Sequence, residues 1–273
     1  MLSFNKLCNQ RVNFTRLTGV KVEEFREIVE RVRPDWDTLQ EKKKIFGRAS
    51  RLKTLEDEVL LVLVYYRFYV SHTFLGYLFN LDNSNICRHL QRMEPILAKN
   101  LAIKKDRTLS ADELTTIIAD VTEIQTQRPR KNQRIFYSGN KKRHTQKTET
   151  QINKKGKIIN VSKCYGGRKH DSSVRKSERP MPRDAIKVVD LGYQGLQKRT
   201  KNVKLPIKKK KKIPLTKEEK DYNRALASER VLIENVFAKL KRFKILGSVY
   251  RNFQKKLHMR FNIIAGIHNL SLA

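Results

Sequence analysis

The chain has 273 residues, 39% of them hydrophobic, and sets 60 Lys and Arg against 27 Asp and Glu for a net charge of +33. That is enough apolar chain for a large core or two domains, and a field this positive favours a polyanion such as DNA or RNA over a small neutral substrate, with a membrane surface as the rival. No run of about 18 apolar residues predicts a membrane span, the N-terminus lacks a signal peptide's apolar core, and Cys8, Cys87 and Cys164 are too scattered for a disulfide framework or a zinc site, which together imply a reducing, intracellular setting.

Residues 1–105 read as helical. In VEEFREIVERV the apolar positions Val22, Phe25, Ile28, Val29 and Val32 recur at helical spacing, and Pro34 is expected to stop the helix. A basic link, KKKIFGRASR, follows. TLEDEVLLVLVYYRFYV opens on Thr54 with Asp57 three residues on, an N-terminal cap in capping-box order, and is apolar almost all round, as a central buried helix would be. Trp36 is expected in the core. SHTFLGYLFNLDNSNICRHLQRMEPIL then shows two short helical patterns, about 73–80 and 83–92, broken at Leu81, Asp82 and Asn83. That layout fits a helix-turn-helix, whose second helix carries Asn83, Ser84, Asn85, Arg88, His89 and Arg92, all able to bond phosphates or base edges. It equally fits a plain helical hairpin with a solvated face, and the charge of the chain favours DNA. His89 reads as a surface residue.

From about residue 106 to 273 the pattern changes to strands followed by helices. LTTIIADVT is an apolar strand ending on Asp120, RIFYSG is strand-like, and KTETQINKKGKIINVSKCY reads as two strands turning at Lys155 and Gly156. KVVD ends on Asp190, with Gly192, Tyr193 and Gly195 shaping the turn beyond it. TKEEKDYNRALASERVLIENVFAKLKRF is a long helix and HMRFNIIAGIHNL a final one, which together give a mixed sheet flanked by helices. Residues 206–214, PIKKKKKIP, read as a solvated loop rather than a phosphate-binding one.

Two strands that each deliver an aspartate to one end of a sheet bring those carboxylates together if the strands are neighbours. On the long helix, Ile233, Val236, Phe237 and Leu240 give the packed face, while Arg230, Glu234 and Lys241 fall within roughly 40° of one another beside it. Two aspartates and a glutamate in a basic setting suit two divalent cations acting on a phosphodiester. The spacing alone is weak, because any basic α/β protein has aspartates at strand ends. The stretch 128–147 holds Arg128, Arg130, Lys131, Arg134, Lys141, Lys142, Arg143 and Lys147 with no acid among them, which points to DNA backbone contact. His144 reads equally as a donor to the scissile phosphate or as a surface residue, Asp171 as the cap of a short helix, and Glu123 as a carboxylate near Asp120 that binds no metal.

Across nearly the whole chain these segments resemble the transposases of small bacterial insertion sequences, in the branch whose catalytic domain is similar to that of Harbinger-type elements. FTRLTGV, FGRASRLKTLEDEVLLVLVYYRFYVSH and FLGYLFNLDNSNICRHLQRMEPIL look like that family's N-terminal region. ADVTEIQTQRP, YSGNKKRHTQKTETQI, GGRKHDSS and VVDLGYQG look like its catalytic segments, and Arg230, Glu234 and Lys241 match its Arg–x3–Glu–x6–Lys signature. Relatives often carry tyrosine three residues ahead of that arginine, where this chain has Ala227.

The resemblance implies an α/β RNase H-like catalytic domain at 106–273 behind an all-α helix-turn-helix domain at 1–105. It implies Asp120, Asp190 and Glu234 as catalytic ligands of two Mg²⁺ or Mn²⁺ ions, with Arg230 and Lys241 orienting DNA or Glu234. It further implies cleavage at the element's ends and joining of the 3′-hydroxyls to target DNA, by a dimer or higher multimer on double-stranded DNA. A bacterial cytoplasmic, nucleoid-associated protein that touches no membrane is expected. The alternative is a non-catalytic DNA-binding descendant of such an enzyme.

Overall fold

The computed structural model describes residues 1–42, 50–103, 115–209, 214–252 and 256–272. Most of the expected basic link, the expected boundary at 105/106, Leu114 at the head of the first strand and residues 210–212 of the lysine run lie outside the described residues. The helices are α1 Phe4–Leu7, α2 Arg11–Thr18, α3 Val22–Glu41, α4 Leu55–Phe68, α5 His72–Phe79, α6 Asn83–Leu101, α7 Gln133–Phe136, α8 Asp171–Lys176, α9 Lys217–Lys241, α10 Lys244–Gly247 and α11 Leu257–Leu270. The strands are β1 Thr116–Gln125, β2 Tyr137–Ser138, β3 Arg143–Ile152, β4 Ile158–Val161, β5 Tyr165–Gly166, β6 Ile186–Val189 and β7 Val203–Lys204. The chain falls into two compact units, one of Met1–Ala102, Leu240–Ser248 and Lys255–Ala273, the other of Ile103–Lys239 and Val249–Gln254.

The helical unit assembles around α4. Thr54 Oγ1 accepts the Asp57 N–H at 3.2 Å, the expected cap, but Asp57 does not complete a capping box; its Oδ1 accepts the Phe4 N–H at 2.8 Å and so ties down α1. Every residue of α4 from Val59 to Tyr66 is buried, as a helix apolar all round requires. Phe4, Phe14 and Phe25 stack beside it, with centroids 5.0–5.9 Å apart.

Pro34 does not stop α3, nor does Pro95 stop α6, which continues to Leu101. A proline removes one backbone hydrogen bond and leaves the rest. Contacts beyond Pro34 hold that part of α3 in place, because Asp35 accepts from Lys99 at 2.6 Å and from Asn100 at 2.7 Å on α6. Trp36 is half-buried rather than a core residue.

The last helix also belongs here, not with the strands that precede it. Arg260 and Lys256 reach the fully buried Glu94 at 2.7 and 3.5 Å, and Gly266 meets α6 so closely that a Cβ there would lie 1.8 Å from the Leu101 carbonyl oxygen. Gly266→Ala is therefore expected to force the two helices apart at a cost of about 3 kcal/mol, read as a clear fall in melting temperature; an unchanged melting temperature would mean the contact is not maintained.

In the second unit β3 is antiparallel to β1 and to β4, while β6 runs parallel to β1 and to β7. Three antiparallel strands continued by two parallel ones are the RNase H-like arrangement expected. The turn between β3 and β4 uses Gly156 at φ +80°. RIFYSG is not one strand; its first residues form the short helix α7, and only Tyr137 and Ser138 pair with β3. Ile117, Ala119, Ile159, Val189 and Tyr193 form a core on one face of the sheet. Ile233, Val236 and Phe237 give α9 the buried stripe that its spacing predicts.

Candidate active site

Parallel pairing sets the site. Ala119 lies opposite Val189, so the next residue of each strand, Asp120 and Asp190, stands at the same level on neighbouring strands. β6 ends there, as expected, whereas β1 runs five residues further to Gln125 because β3 continues to pair with it. Arg230 of α9 closes the pair: its Nη1 is 3.1 Å from Asp190 Oδ1 and its Nη2 3.6 Å from Asp120 Oδ2. Asp120 is sheltered, with 20% of its side chain exposed, against 43% for Asp190. Burial raises the Asp120 carboxyl to about 6, against the opposing pull of the Val121 N–H and Arg230; the negative charges of Asp190 and Asp171 add to the rise.

Glu234 sits one turn beyond Arg230 on α9 and is exposed. Among the described residues no three His, Cys, Asp or Glu side chains are close enough to hold a metal ion together. The structure thus joins Asp120 and Asp190 through Arg230 and leaves Glu234 on the adjoining turn. Two carboxylates supply hard, anionic oxygens, and magnesium needs only one or two from the protein because it keeps waters and takes the rest from phosphates. The donor set at Asp120 and Asp190 fits such a cation.

Asp171 is the carboxylate that sequence reasoning assigned elsewhere. It is not a helix cap; His170 holds that position and Asp171 is the first residue of α8. Its Oδ1 is 3.0 Å from Lys147 Nζ, and its Oδ2 would lie 2.8 Å from a Cβ at Gly192, so glycine there leaves room for it beside the turn after Asp190. Lys147, expected at DNA, is buried, because its ammonium also lies 3.5 Å from Glu123, its cross-strand partner. Glu123 is accordingly taken up by Lys147 and by the Thr145 hydroxyl at 2.7 Å. Beneath the turn, Tyr193 is 1% exposed; its N–H is given to the Asp190 carbonyl and its hydroxyl lies 3.3 Å from the buried Glu149, which Arg175 pairs.

The remaining basic residues of 128–147 are on the surface. Arg128, Arg130, Lys131, Arg134, Lys141, Lys142 and Arg143 are all exposed, and Arg143 Nη1 bonds Gln125 Oε1 at 3.0 Å at the far end of β1. His144 packs edge-on against Tyr137, centroids 5.6 Å apart.

In the helical unit, α5 follows its cap Ser71, the turn passes through Asn80 in a left-handed conformation, and α6 presents Asn83 and Arg88 to solvent with Asn85 half-buried. Arg88 Nη1 bonds Asn85 Oδ1 at 2.9 Å. Arg92 leaves the expected DNA-facing set: its guanidinium turns inward to the buried Glu58, a partner no local pattern reveals. His89 is likewise buried, 3.6 Å from the same carboxylate. Lys241 is the last residue of α9, half-buried.

Residues 119–269 match the family described as DDE superfamily endonuclease, and residues 50–103 match the helix-turn-helix of DDE superfamily endonuclease. The chain is 38% identical over 269 residues to the probable transposase for insertion sequence element IS702 of Microchaete diplosiphon, covering 95% of this chain and 94% of that protein. No solved structure matches.

Proposed function

The chain belongs to the insertion-sequence transposases that carry a DDE superfamily endonuclease domain, and on that footing we propose that it cuts DNA at the ends of its own element and joins the freed 3′-hydroxyls to a target. The observation that carries this reading is the meeting of Asp120 and Asp190 at the same level of neighbouring parallel strands under one guanidinium. Asp120, Asp190 and, from the adjoining turn of α9, Glu234 would hold two Mg²⁺ or Mn²⁺ ions. Such ions activate the attacking oxygen and stabilise the leaving one.

The chain's own groups do the rest. The carboxylates fix where a scissile phosphate can lie. Arg230 offers a fork of donors to its non-bridging oxygens, and Lys241 adds positive charge from the end of the same helix. Arg128, Lys141, Lys142 and Arg143 would track the backbone, with His144 supporting the hairpin through Tyr137. β1 carries this hairpin five residues past Asp120, about 17 Å at the usual rise of a strand, so a duplex laid along it would meet these cations roughly half a turn from the cut. Asn83, Asn85 and Arg88 would read the element's ends from α6.

Because two ends must be held together, the working form is a dimer or larger assembly on double-stranded DNA. No described helix is long and apolar enough to cross a membrane. The proposed place of work is the bacterial nucleoid in the cytoplasm, where the element's DNA lies. The test is a supercoiled plasmid bearing the element's two ends. With Mg²⁺ the expected products are cut ends and joined target molecules, falling steeply with added salt as phosphate counterions are released. Binding without cutting would favour a non-catalytic DNA-binding protein instead, and cutting without joining a simple nuclease.

A further inference from the structure

Arg230 occupies the place between Asp120 and Asp190 that a cation would take. We propose that Arg230 is the built-in counter-ion of this pair: a positioning residue that holds the two carboxylates together in the metal-free enzyme and gives them up, turning to a DNA phosphate, when divalent cations bind. This rests on the reading above of Asp120 and Asp190 as the cation-binding pair.

Three observations support it. First, adjacent parallel strands stand about 4.8 Å apart, and two like charges at the same level on such strands repel strongly where solvent is scarce. A guanidinium offsets that repulsion without titrating, since it stays charged at any ordinary pH. Second, Arg230 reaches the same oxygens that a dication would use, at 3.1 Å and 3.6 Å. A dication and a guanidinium would compete for those same oxygens, so full occupancy by one excludes the other. Third, the pose leaves the arginine incompletely bonded. Its side chain is only 14% exposed, its contact to Asp120 is beyond hydrogen-bond distance, and its buried Nε has no hydrogen-bond partner. A phosphate takes two parallel N–H bonds from one guanidinium, so the move would satisfy donors that the carboxylates leave idle. The same helix carries Glu234 one turn on, so the counter-ion and the third expected ligand are presented together.

The experiment uses the full chain without DNA. Mn²⁺ affinity is measured by titration calorimetry, and melting temperature with and without Mn²⁺, for the wild type, Arg230→Gln, Arg230→Lys and Asp190→Asn. Arg230→Gln is expected to bind Mn²⁺ about tenfold more tightly than the wild type, the size of a typical coupling between competing ligands, and to melt lower without metal but gain more from it. Arg230→Lys, whose single ammonium cannot fork between two carboxylates, should shift the same way by less, and it serves as the test if the glutamine variant does not fold. A merely structural arginine would lower stability without tightening metal binding. Equal or weaker Mn²⁺ affinity in both arginine variants, with Asp190→Asn binding less than the wild type, overturns this proposal alone. No binding in the wild type beyond that of Asp190→Asn overturns the cation-binding reading as well.

Discussion

Asp190→Asn is expected to abolish cleavage of an end-bearing plasmid, on the order of a thousandfold or more, while the protein still folds and binds DNA. Asparagine keeps the shape of the side chain and removes the charge that would anchor a cation. Losing about 4 kcal/mol of charge stabilisation in the transition state corresponds to a thousandfold in rate. Asp190 is 43% exposed against 20% for Asp120, so the Asp190 variant should cost less stability than the same change at Asp120. Asp184→Asn, an exposed aspartate just before β6, is the charge-matched control and should cut normally. If Asp190→Asn cuts at the wild-type rate in Mg²⁺, the assignment of this carboxylate to catalysis is wrong.

A large effect on stability, at least that of Gly266→Ala, is expected at Arg175→Met. Glu149 is fully buried and faces Arg175, itself 5% exposed; the same arginine also donates to the Arg179 carbonyl. Burial pushes the Glu149 carboxyl above its ordinary range, and Arg175 is the main force pulling it back, with Gln151 and Tyr193 contributing hydrogen bonds. Removing one member of a buried pair leaves the other charged and unmatched, at about 3–5 kcal/mol; the two remaining hydrogen bonds place this case near the low end. The denaturation midpoint in urea should fall with little change in slope. Because Tyr193 ties Glu149 to the turn that holds Asp190, cutting should weaken as well. Pairing the change with Glu149→Gln should restore part of the lost stability, since it removes the stranded charge.

Much of the site was legible because its parts are local. Asp120 and Asp190 follow apolar runs that read as buried strands, and the buried stripe of α9 is written in the spacing of Ile233, Val236 and Phe237. What the sequence concealed depends on partners distant along the chain. Charge counting placed Lys147 with the surface cations, but Glu123 faces it across the ladder and Asp171 meets its ammonium, so it is withdrawn from solvent. The helix-turn-helix reading put Arg92 at DNA and His89 on the surface, and only the fold reveals Glu58 beneath them. Asp171 looked like a cap because its neighbours suit one, while its role comes from β3 and from Gly192. Pro34 and Pro95 are helix-breaking by local rule; packing beyond each outweighs one lost hydrogen bond.

The return of α11 to the helical unit bears on how the protein is made. Glu94 is fully buried and is matched by Arg260 and Lys256, residues translated some 160 positions later. A nascent chain emerging from the ribosome therefore has α6, the helix proposed to read DNA, long before it has the cations and the apolar helix that finish its surroundings. The helical unit is complete only once α11 has been made, so a product broken off before residue 257 would carry α6 on an unfinished scaffold with a buried acid short of its cations.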